Sequence, residues 1–176
     1  MGKKLSILFI IVLSVLICSF VFSQQGNFNN DRTTEANTAG NNSEKILNVQ
    51  FGTGGKTFSL KLESNSTAAA IARYVGISRW QLPIYNYDES DVMQYYDIPR
   101  RYEIPDNSVR VLQAKAGDVF YSNPNRIILY YHDAKISQNY TKIGTFDATE
   151  EFISAVENNP VLPGWGNKLV IIKSAN

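Results

Sequence analysis

The alternation of apolar and polar side chains changes character several times along the chain, and each change marks an element. Leu5 to Phe22 is a nearly unbroken apolar run, interrupted by Ser6, Ser14, Cys18 and Ser19 and preceded by Lys3 and Lys4. A positive segment followed by an apolar core predicts a secretory signal peptide over residues 1–23, cleaved between Ser23 and Gln24. The run also approaches the ~20 residues of a membrane-spanning helix, so an uncleaved anchor is the competing reading. Val15-Leu16-Ile17-Cys18 has the outline of a lipobox, but Ile17 stands where a small residue is wanted, which favours release over lipid attachment. Residues 24–44 carry almost no apolar side chains, as in the stretch NNDRTTEANTAGNNSE. Such a segment has too little to bury to offset the entropy of ordering, which predicts a disordered polar tether.

A folded domain is expected over residues 45–176. Leu47, Val49 and Phe51 alternate with Ile46, Asn48 and Gln50, and Phe58, Leu60 and Leu62 alternate with Thr57, Ser59 and Lys61. Two period-two runs around Gly52-Thr53-Gly54-Gly55 predict a β-hairpin. The glycines are not a phosphate cradle, because a strand rather than a helix follows them. Ala68, Ile71, Ala72 and Val75 repeat at helical spacing after Asn65-Ser66-Thr67, with Gly76 as the expected stop. Between Ile77 and Ile104 the periodicity is lost among aromatic and charged residues, which predicts an irregular binding segment or a cover over the core. Strands return at Val109–Leu112, Val119–Tyr121, Arg126–His132, Tyr140–Phe146 and Leu169–Ile172. Asp147 with Glu150 three residues on predicts a capped helix carrying Phe152, Ala155 and Val156. Seven or eight short strands with two helices predict a mainly β fold, a small closed barrel.

Charge narrows the partners. The chain has 17 Lys plus Arg against 16 Asp plus Glu, and loss of Lys3 and Lys4 with the signal leaves 15 against 16, a net charge of −1. A near-neutral domain has no electrostatic footprint for nucleic acid, and membrane contact is expected only through the N-terminal segment. Cys18 is the only cysteine and His132 the only histidine, so neither a disulfide framework nor a zinc site is implied. As a general base His132 would need an orienting carboxylate, yet Asp133 beside it points to the other face of a strand. Asp88, Glu89 and Asp91 lack the glycine and distal glutamate of a calcium loop. No metal and no cofactor are implied.

Several segments occur in a familiar order. They are the hairpin Asn48 to Leu62, the helix from Thr67, Gln81-Leu82-Pro83, Tyr96-Asp97-Ile98-Pro99, Ala116-Gly117-Asp118-Val119-Phe120-Tyr121, Ile128-Leu129-Tyr130-Tyr131 and Tyr140-Thr141-Lys142-Ile143-Gly144. Together they resemble the bacterial cyclophilin-like domain family over about residues 47–173. The resemblance implies a cyclophilin-like β-barrel with a helix at each end. True cyclophilins carry a Phe-His-Arg-Val segment and a Phe-Met-x-Gln-Gly-Gly-Asp segment, and neither is present. Met93-Gln94 also departs from the Glu-Lys common in the looser family, so no catalytic residue is carried over.

Two functions fit. One is an exported, non-catalytic binding module of the cell envelope or secreted space, taking a peptide or small ligand. The other is a peptidyl-prolyl isomerase acting on exported proteins, which needs an arginine in an apolar cleft. Candidate binding residues are Trp80, Tyr95, Arg126, Tyr130 and His132. Alternation sets Arg126, Ile128, Tyr130 and His132 on one face and Ile127, Leu129 and Tyr131 on the other. The second face is expected in the core, so loss of the Tyr131 ring should cost stability while loss of the Tyr130 ring should spare the fold.

Overall fold

The computed structural model describes residues 45–175, so the signal and tether expected over 1–44 lie outside the described residues. Among the described residues nine strands and two helices form. They are β1 (Ile46–Phe51), β2 (Thr57–Leu62), α1 (Ser66–Ile77), β3 (Trp80–Ile84), β4 (Met93–Asp97), β5 (Val109–Ala114), β6 (Asp118–Ser122), β7 (Arg126–Tyr130), β8 (Ala134–Thr145), α2 (Glu150–Glu157) and β9 (Lys168–Ser174). The hydrogen-bonded order β3-β9-β1-β2-β8-β6-β7-β4 makes a nearly closed eight-stranded antiparallel barrel, and β5 pairs only with β8. The mainly β barrel with two helices is therefore what forms.

The hairpin β1–β2 forms as its alternation predicts, with Leu47 facing Leu60 and Val49 facing Phe58. The region from Ile77 to Ile104 is more regular than its sequence suggests. Trp80, Leu82 and Ile84 alternate inward on β3, which pairs with β9, while Gln94 and Tyr96 alternate inward on β4, which pairs with β7. Pro83 and Gln94 hide the period: a proline is tolerated because β3 is an edge strand, and an inward glutamine reads as polar. The helix boundaries also differ from expectation. Asn65 caps α1 by accepting from Ala68 N at 2.9 Å, and the helix runs through Gly76 to Ile77. Thr149, not Asp147, caps α2, its hydroxyl accepting from Phe152 N at 3.2 Å.

One large core fills the barrel, where Ile71 and Val75 of α1 and Phe152 and Val156 of α2 meet Val49, Leu82, Tyr96, Leu129 and Val170. A smaller cluster, Ala114, Phe120, Ile128 and Tyr130, lies on the opposite face of the same strands. It is covered by the ribbon of β5 and the first half of β8, through Val111, Ala134, Ile136 and Tyr140.

Two glycines explain the most specific pieces of the sequence pattern. Gly117 has φ +91°, and a Cβ there would sit 2.4 Å from the Phe146 carbonyl oxygen, so the Ala-Gly-Asp turn requires glycine. Asp118 then closes that turn, accepting from Lys115 N at 2.9 Å and pairing with Lys142 at 2.8 Å. At Gly144 a Cβ would lie 2.5 Å from the Lys61 carbonyl oxygen, so its absence lets β2 and β8 close the sheet.

Candidate functional site

The strands β3 and β4 are the two ends of the hydrogen-bonded path; they approach one another without pairing, leaving a seam in the barrel wall. Pro83 has no N–H to offer across it. A cavity of about 150 Å³ opens there, lined by Pro83, Tyr85, Asn86, Tyr95, Tyr96, Asp97 and Arg126.

The antiparallel register of β4 and β7 sets Asp97 opposite Arg126 and Tyr95 opposite Ile128 on the outer face. Arg126 donates from Nε to Asp97 Oδ1 at 2.7 Å and from Nη2 to Oδ2 at 3.2 Å, a two-pronged bond that fixes the guanidinium plane. That plane lies over the Tyr95 ring, 3.9 Å from its centroid. The bond to Asp97 is the chief cause that raises the Arg126 pKa above its usual value.

The loop joining β3 to β4 grips the same tyrosine. Asn86 Nδ2 donates to the Tyr95 hydroxyl, which in turn donates to Glu89 Oε2 at 3.4 Å. Burial and then the Glu89 carboxylate push the Tyr95 phenol up, so it remains an O–H donor at ordinary pH. Burial alone pushes the Tyr96 phenol up further. Tyr85 stands free on the rim, 67% exposed. The cavity is thus walled by rings, floored by a neutralised ion pair, and small enough to hold one ring. A 150 Å³ cavity in an engineered core is known to take up benzene.

The sequence candidates divide. Tyr95 and Arg126 come together at the seam. Tyr130 shares their outward face but is 4% exposed, because the β5–β8 ribbon covers it. Trp80 is 4% exposed inside the barrel, stacked on Tyr102 at 5.4 Å. His132 lies beyond the end of β7, its Nε2 2.9 Å from Glu157 Oε1. Pro83, Tyr85, Asn86 and Asp97 were not legible as site residues, since their role follows from which strands the barrel leaves unpaired. The Asp97–Arg126 pair is visible only once the β4–β7 register is known.

A larger hollow of about 280 Å³ lies between the Gly52–Gly55 turn and the end of α2, but no charged side chain lines it. Among the described residues no group of three or more His, Cys, Asp or Glu is placed to hold a metal ion, and no helix is long and apolar enough to cross a membrane.

An eight-stranded antiparallel barrel closed over two helices defines a cyclophilin-like module. Residues 51–162 match the model of the cyclophilin-like family, and the chain belongs to that family. Among solved structures, McbB in complex with tryptophan is similar at 14% identity and a TM-score of 0.52, over 74% of this chain and 45% of McbB. This chain therefore spans less than half of McbB's length. The solution structure of the hypothetical protein AF2241 from Archaeoglobus fulgidus is similar at 19% identity and a TM-score of 0.49, over 75% of this chain and 95% of that one. No curated protein matches. The likeness to McbB is to the fold alone.

Proposed function

We propose that the domain is a binding module whose seam cavity takes a single ring or apolar side chain, presented by a peptide or a small ligand. The observation that carries this is the cavity itself, where Tyr85, Tyr95 and Arg126 converge on a space of about 150 Å³. That space is well below the ~300–1,000 Å³ of pockets that enclose a drug-sized ligand, so it suits an anchoring group rather than a whole cofactor. The N-terminal apolar run supports export as the setting in which such a module works.

A prolyl-isomerase reading has one observation in its favour, the arginine beside a small aromatic cleft. Against it, Asp97 already takes two of the five N–H donors of Arg126 and fixes the plane of its guanidinium.

Titration of isotope-labelled protein with benzyl alcohol and with N-acetyl-prolinamide tests the proposal. Amide shifts confined to Tyr85, Asn86, Tyr95 and Arg126 are expected, weakened in Tyr85→Ala. Shifts clustered elsewhere, or none at millimolar ligand, would sink it. Acceleration of prolyl exchange that Arg126→Ala abolishes at unchanged stability would put the isomerase reading in its place.

A further inference from the structure

We infer that the seam cavity selects ligands carrying one positive charge beside a ring- or alkyl-sized body, an inference that rests on the seam being the binding site. The two charges that line the cavity, Asp97 and Arg126, cancel, and Glu89 adds a carboxylate next to the lining ring of Tyr95. Arg126 is matched by Asp97, with its guanidinium stacked on Tyr95. Glu89 touches the Tyr95 hydroxyl but makes no ion pair with any described residue. The nearby cation Lys168 is turned away, donating to the Glu157 carbonyl at 2.8 Å and lying over the Tyr87 ring. One carboxylate without an ion pair therefore lies 3.4 Å from the hydroxyl of a ring that lines the space. Tyr85 also lines the space, and its exposed ring can receive a cation on its face. An anionic ligand would be repelled by Glu89 and could reach Arg126 only through the N–H groups that Asp97 leaves free.

The test uses three ligands of one shape and three charges: benzylammonium, benzyl alcohol and benzoate, titrated at low salt against the full chain. The expected order of affinity is ammonium, alcohol, benzoate, with the ammonium roughly threefold tighter than the alcohol, as for an exposed ion pair. Salt should shrink that ratio, because exposed charges are screened. In Glu89→Gln the ratio should fall to about one. Benzoate binding tightest would overturn the inference, by showing that Arg126 is free to take a carboxylate. Equal affinities for the ammonium and the alcohol in wild type would do the same, as would a ratio that survives in Glu89→Gln. If none of the three shifts a resonance at the seam, the binding reading fails as well. If benzyl alcohol binds there without any charge preference, only the present inference fails.

Discussion

At the scale of single residues, the barrel puts several phenols where water is scarce. Burial first, and then the Tyr140 phenol beside it, pushes Tyr130 from 10.0 to about 12. The folded state thus holds this proton more tightly than the unfolded chain does. Its contribution to stability is complete below pH 10.0 and is lost as the pH climbs toward about 12. Tyr95, Tyr96, Tyr121, Tyr131 and Tyr140 shift in the same direction, so the alkaline loss is collective. Melting temperatures taken between pH 9 and 12 should fall more gently for Tyr130→Phe than for wild type. Parallel curves would show that the unfolded chain protects this proton equally well. Sequence gave no hint of the effect, because ring burial on the outer face depends on a ribbon far along the chain.

That ribbon matters most at the scale of elements. Alternation along β7 correctly put Ile127, Leu129 and Tyr131 into the main core. It also separated Ile128 and Tyr130 onto the other face, but the expectation that this face lines an open groove does not hold beyond Arg126. The first half of β8 pairs with β5 and folds over it, burying Tyr130 edge-on to Phe120 with ring centroids 5.8 Å apart. Both tyrosines are therefore core aromatics. Tyr130→Ala and Tyr131→Ala should each cost roughly 3 kcal/mol or more by urea melts, whereas Arg126→Ala should cost at most about 1 kcal/mol, as an exposed ion pair does. A Tyr130→Ala variant as stable as wild type would mean that the ribbon lifts off in solution. The hairpin and the helix from Asn65 were legible from a clean period, and the strands β6, β7 and β9 from runs of β-prone residues bounded by turns. The strands β3 and β4 were not, because Pro83 argues against a strand at β3 and Gln94 puts a polar residue in the inward row of β4.

At the scale of the whole molecule, closure depends on the two strands that sequence reading left irregular. The barrel class was legible from the count of short strands and, through the family resemblance, from the Ala-Gly-Asp turn and Ile143-Gly144, whose glycines permit a tight turn and a close strand approach. The seam was not, since it is defined by pairing that fails to occur between β3 and β4. This is why the sequence candidates include Tyr95 and Arg126 but not Asp97 or Tyr85: which ring and which carboxylate face the seam follows from place in the barrel and not from residue type.

The position of β7 has a kinetic consequence. Its backbone is paired on both sides, to β4 and to β6, and Ile127, Ile128, Leu129 and Tyr130 are all buried. Its amides can meet solvent only when the barrel opens as a unit, so their protons should trade for deuterium at the rate of global unfolding. On β5, which pairs only with β8, Val109 and Leu112 stay exposed, so β5 should open locally before the barrel does. Deuterium uptake followed by mass spectrometry should find the β5 peptide labelled long before the β7 peptide. Equal rates would mean that ribbon and barrel unfold together, and that the ribbon is a stave of the barrel rather than a cover laid over it.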